Sequence, residues 1–68
     1  SIVEFQLQLV HSKIGDMEPI KDAINLIKAD LELIYNKVIY KDIDIIEISG
    51  MSGTMYQNYI VKVLYEVK

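Results

Sequence analysis

Few side chains in this sequence are of types that do chemistry, and their placement limits what that chemistry is. His11 is the sole histidine, and there is no cysteine. Nucleophilic catalysis needs a nucleophile held beside a base, so no triad can be assembled and no catalytic residue is assigned. One histidine without thiolates cannot make a zinc site. Asp42, Asp44 and Glu47 are of the type that binds a hard cation. On a strand, however, Asp42 and Asp44 share one face while Glu47 points the other way. Their expected role is charge at a sheet edge, which discourages stray pairing, and no metal site is assigned.

The five tyrosines and the stretch Glu47 to Tyr59, EISGMSGTMYQNY, are the more informative group. Glycine at Gly50 and Gly53 suits a hairpin turn, because it takes positive φ at no steric cost. A phosphate-cradling loop would hand its anion to a helix N-terminus, whereas a strand pattern follows here. The turn reading is therefore preferred. Ser49, Ser52 and Thr54 still offer hydroxyl donors near the flat faces of Tyr56 and Tyr59, while Tyr40, at the helix-to-strand passage, and Asn58 are further contacts for a planar ligand held between subunits. Tyrosine has an apolar body and a polar tip, which suits interfaces and stacking. Tyr40, Ser52, Thr54, Tyr56 and Asn58 are thus the candidate contacts for a small planar ligand, such as a nucleotide, with no cofactor specified.

Three strands and one helix must position these groups. Val3, Phe5, Leu7 and Leu9 alternate strictly with Glu4, Gln6 and Gln8, which predicts a half-buried strand over 2–11. Asp16 suits a helix N-cap and Pro19 the first turn. Ile20, Ile24, Ile27, Leu31 and Ile34 then recur at steps of three and four, with Ala23 beside them, predicting an amphipathic helix over 17–35. Leu26, Ala29 and Leu33 cluster on the back of that helix and are candidate subunit contacts. β-branched residues predict a second strand over 39–49, and alternation predicts a third over 54–68, with Tyr59, Val61, Val63, Tyr65 and Val67 on one face.

The order strand–helix–strand–strand predicts a single α+β domain over 1–68. Its sheet is three-stranded and mostly antiparallel in the order 1-3-2, with the helix on one face. The isoleucine stripe is expected to pack on Val3, Phe5, Leu7, Leu9, Val61, Val63 and Tyr65. Ile2, Gln6, Gln8, Val10, Ile60, Lys62 and Leu64 are expected on the open face, with Ile60 and Leu64 available to a second subunit.

Totals bear on partners. A chain of 68 residues removes only about 60% of its unfolded surface from water, yet 51% of it is hydrophobic. Apolar residues beyond the needs of one small core predict a homo-oligomer. All seven basic residues are lysines, against ten carboxylates and a net charge of -3. Without arginine or a basic patch, nucleic acid is not an expected partner. No apolar run reaches the ~18 residues of a membrane span and no secretory leader pattern is visible. Absence of cysteine fits the cytoplasm, and the Ile-, Lys- and Asn-rich composition fits a bacterium or phage.

The segments IIEISG (Ile45 to Gly50) and NYIVKVLYEV (from Asn58), together with length and element order, resemble the dodecins. Those are small strand–helix–strand–strand proteins that assemble into hollow dodecamers and bind flavins. The resemblance implies the fold and a homo-oligomer. It does not imply flavin binding. The family's flavin-stacking tryptophan is absent, Tyr40 standing roughly in its place, and its flavin-bonding glutamine falls near Ile60. Small sporulation-associated or phage proteins of similar plan are equally compatible with these residues. The leading expectation is a non-enzymatic homo-oligomer that binds or sequesters a small planar ligand between subunits. The alternative is a protein-interaction module, for example a phage-type inhibitor of a host protein.

Overall fold

The structure, a computed structural model, describes residues 1–48 and 55–68. Strand β1 runs Ile2–Lys13, helix α1 Glu18–Ile34, strand β2 Val38–Ile48 and strand β3 Tyr56–Val67. The sheet has the order β1-β3-β2 with both pairings antiparallel. The α+β architecture and strand order are those read from the sequence. Gly50, Ser52, Gly53 and Thr54, expected to form a hairpin turn, lie outside the described residues.

The link from β1 to α1 is tight. Gly15 has φ 90° in a turn closed by Asp16 N–H donating to the Lys13 carbonyl at 3.0 Å. An L side chain is strained at that φ, which is why glycine stands there. Ser12 is buried, and its hydroxyl donates to the Asp16 carbonyl at 2.8 Å. The helix cap is Met17 rather than Asp16, but the Asp16 carboxylate still accepts from Glu18 N–H at 3.1 Å. Asp16 thus satisfies one otherwise orphan donor from one position further out.

α1 buries Ile20, Ala23, Ile27 and Leu31 against Val10, Val61, Val63 and Tyr65. Val61 and Val63 are 0% exposed. Ile34 does not continue the buried stripe, since the helix ends there and its side chain is exposed. Beyond it, Tyr35 N–H closes the last turn on the Leu31 carbonyl, and the Tyr35 ring leans on Tyr65 with centroids 6.2 Å apart.

One expectation fails in an instructive way. Val3, Phe5, Leu7 and Leu9 do not lie under the helix. In the β1–β3 register Gln8 stands opposite Val61, Gln6 opposite Val63 and Glu4 opposite Tyr65. Residues opposite each other in an antiparallel ladder project to the same face. The even-numbered residues of β1 therefore share the helix side, where Val10 and Ser12 are buried. Gln6 and Gln8, expected on the open face, are on the helix side, as is Val10. The greasier set of β1 faces away from the helix.

Candidate functional site: the open face of the sheet

That face is built from all three strands. β1 contributes Val3, Phe5, Leu7, Leu9 and His11, and β3 contributes Tyr56, Asn58, Ile60, Lys62, Leu64 and Glu66. β2 adds Ile39, Asp42, Asp44, Ile46 and Ile48. Val3, Phe5, Leu7 and Leu9 keep 55–63% of their surface in water. At ~3.4 Å per residue and ~4.8 Å per strand, the face is roughly 40 Å by 14 Å, on the order of 500 Å². Its apolar part is the β1 stripe with the half-buried Ile60 and Leu64 beside it, and an exposed apolar stripe rimmed by polar groups is a common form of interaction site.

Its charges are arranged, not scattered. Lys62 sits mid-face with its Nζ 4.0 Å from the Phe5 ring centroid, a cation–π contact. Asp44 stands opposite Lys62 in the β2–β3 register, with Asp42 one step along the same face. Lys41 Nζ reaches Glu66 Oε1 at 3.1 Å. That hydrogen bond leads the causes holding the Glu66 carboxyl below its ordinary range. Charge therefore lies along β2 and the sheet's middle, and the β1 side is apolar.

At the end of the sheet where β1 stops and β3 starts, His11, Tyr56 and Asn58 form a flat polar shelf. His11 Nδ1 lies 2.9 Å from Asn58 Oδ1, so the ring donates there in the tautomer carrying its proton on Nδ1. The imidazole stacks on Tyr56 with centroids 5.3 Å apart and planes 13° apart. Leu9 and Ile60, opposite each other in register, adjoin the shelf. Of the five residues expected to touch a ligand, Tyr56 and Asn58 meet here, and Ser52 and Thr54 lie outside the described residues.

Tyr40 does not join them. It faces the helix side, opposite Tyr65, about 30 Å along the sheet from Tyr56 by strand rise. Its hydroxyl donates to the Lys28 carbonyl at 3.3 Å, and Lys28 Nζ covers its ring at 5.1 Å. Burial first, then the nearby Glu32 carboxylate, push its phenol above its ordinary pKa. Tyr40 ties β2 to α1. Tyr65 does a similar job between β3 and β1: its hydroxyl donates to Glu4 Oε2 at 3.2 Å. Burial, with that hydrogen bond second, raises its pKa to about 12.

Of the expected subunit contacts, Leu26 (60% exposed), Ala29 and Leu33 (85%) lie bare on the back of α1. Ile60 and Leu64 lie half-buried on the open face. Sequence reasoning missed Val3, Phe5, Leu7 and Leu9 as surface residues and His11 as a partner of Asn58. The missing signal was the parity of the β1–β3 register. Among the described residues, no group of three or more His, Asp or Glu side chains is placed to hold a metal ion. No described helix is long and apolar enough to cross a membrane. No family model, curated protein or solved structure matches the chain.

Proposed function

We propose that the protein is a non-enzymatic homo-oligomer that holds a small planar ligand at subunit boundaries. The observation that carries this reading is the open face, with Val3, Phe5, Leu7 and Leu9 all more than half exposed. Covering each completely is worth roughly 1 kcal/mol beyond its present burial, and a second subunit supplies that cover. The ligand role rests on the shelf of His11, Tyr56 and Asn58. It offers a flat stacking surface and an amide edge at the end of the open face where β3 begins. A nucleotide or another flat heterocycle fits that chemistry. Light scattering at micromolar concentration tests the assembly: an oligomer is expected, and a monomer overturns the reading. Thermal-shift scanning against nucleotides and flavins tests the ligand. Stabilisation that disappears in Tyr56→Ala is expected, and no stabilisation by any compound removes the ligand role.

A second reading, a protein-interaction module, is favoured by the bare Leu26–Ala29–Leu33 patch on the helix back. An amphipathic helix presenting such a row docks in apolar grooves of other proteins. A monomer that binds one host protein stoichiometrically, and loses it in Leu33→Glu, would favour this reading over the first.

A further inference from the structure

The open face alone, on the order of 500 Å², falls short of the ~800 Å² per partner of a standard stable interface. Something must add to it, and the two edges of the sheet differ in what they offer. The β2 edge is defended: its ladder is interrupted by an irregularity at Lys41, and it carries Lys41, Asp42, Asp44 and Glu47. Bulges and charges are the usual means of blocking strand addition. The β1 edge has no bulge, and its charges are Glu4 and the terminal Lys13. Its twelve residues pair with β3 without a register shift. Between Ile2 and Ser12 it holds no proline and one charged residue, Glu4.

The β1 sequence is also palindromic in residue class. Ile2-Val3-Glu4-Phe5-Gln6-Leu7-Gln8-Leu9-Val10 reads apolar, apolar, polar, apolar, polar, apolar, polar, apolar, apolar from either end. We propose that β1 is the self-association edge: two copies pair their β1 strands antiparallel about a two-fold axis through Gln6. This deepens the homo-oligomer reading and rests on it.

In that register Phe5 faces the partner's Leu7, and Val3 the partner's Leu9, on the open side. On the helix side Gln6 meets its own copy, Glu4 meets the partner's Gln8, and Ile2 meets the partner's Val10. Every apolar residue meets an apolar one and every polar residue a polar one. Sliding by two places in either sense sets Ile2 against Gln8 or Glu4 against Val10. Sliding by one puts the phenylalanine and leucines opposite residues of the glutamine face. Gln6 and Gln8 are exposed, so α1 leaves the edge open to a neighbour. The product is a six-stranded sheet, β2-β3-β1-β1-β3-β2, with both helices on one side. The two apolar stripes merge at its centre, which doubles the patch available for further stacking.

The chain has no cysteine, so a single introduced thiol reports the register cleanly. In Gln6→Cys the two thiols face each other across the axis, at a Cβ separation of ~4.5–5.5 Å, and mild oxidation is expected to give a disulfide-linked dimer. In Gln8→Cys the thiols lie about 14 Å apart along the strands, too far to bridge, and the chain is expected to stay unlinked. Charge variants read the same geometry with opposite signs. Gln6→Lys sets like charges together and is expected to raise the dimer dissociation constant about tenfold, whereas Gln8→Lys meets the partner's Glu4 and is expected to lower it a few-fold. If light scattering shows an oligomer but Gln6→Cys links no faster than Gln8→Cys, or both lysine variants shift the constant the same way, this edge is not the contact and the oligomer reading survives. A monomeric wild-type chain overturns both.

Discussion

The two faces of β3 put the same strand in opposite circumstances. On the helix side Val61, Val63 and Tyr65 are buried under α1. On the other side Ile60, Lys62 and Leu64 lie between a bare apolar stripe on β1 and a charged row on β2. The helix side has a core completed within one chain: Val10, Val61, Val63 and Tyr65 are covered by α1, and the two phenols next to it, Tyr40 and Tyr65, have acceptors. The open side is complete in nothing the chain itself supplies. Folding is thus served by one face, and association is left to the other. A substitution on the first face should act on a single chain at any concentration, while one on the second should act through assembly.

The largest expected effect tests the first half of that contrast. Ile27→Ala removes a side chain only 3% exposed from the middle of the helix–sheet contact. It should cost about 3 kcal/mol in urea unfolding, with the same loss at low and high protein concentration. Leu7→Glu comes next and tests the second half. Leu7 stands opposite Lys62 on the open face, so the new carboxylate gains a cross-strand partner and the single chain should keep its stability to within ~0.5 kcal/mol. Association should weaken by about 2 kcal/mol, read as a shift to smaller species in light scattering. Equal loss of single-chain stability in the two variants would erase the distinction between the faces.

Two smaller effects sharpen it through pH. The Tyr65 phenol is raised from 10.0 to about 12, so the folded state keeps it neutral where the unfolded chain would ionise it. Its contribution is present in full below pH 10 and is lost as pH rises through the folded value. By pH 11 that loss should be on the order of 1 kcal/mol. Tyr65→Phe should flatten this part of the alkaline limb, leaving the part due to Tyr40, which shifts in the same direction. Glu66 shifts the other way: its lowered pKa gives stability present at neutral pH and lost as pH falls through the folded value. Lys41→Ala should reduce that acid-limb loss, and added salt should reduce it further. This is the smallest effect of the four, because the Lys41 side chain is 46% exposed.

Much of the helix side was legible in the sequence. The stripe from Ile20 to Leu31 declared both the helix and its buried face, and the shared face from Tyr59 to Val67 declared what it would lie on. The strand order followed from the short link between the last two strands and the crossover before them. Which face of β1 would join that core was not legible. Alternation groups Val3, Phe5, Leu7 and Leu9 but does not say which side of the sheet they take. That is decided by a register set across the full length of the chain, and a slip of one residue reverses it. Hydrophobicity pointed the wrong way, because it ranks residues for burial without distinguishing burial by the chain's own helix from burial by another subunit. The candidate site was only partly legible for the same reason. Tyr56 and Asn58 are two apart on one strand and had to share a face. Their neighbour His11 and the absence of Tyr40 depend on pairing across 47 positions for the first and on the helix side of β2 for the second.

The irregularity at Lys41 has a consequence for how the molecule tolerates changes in length. Tyr40 pairs with Tyr65 and Asp42 with Leu64, so Lys41 is an extra residue with no counterpart on β3. An insertion or deletion of one residue anywhere else in a strand would invert the facing of everything beyond it. Removing Lys41 would leave Tyr40 and Asp42 as ordinary consecutive positions, with Ile43 and Ile45 still directed where they are now. β2 therefore contains a joint at which the chain can lose a residue and give up a bend and one ion pair, while every other cross-strand neighbour stays the same.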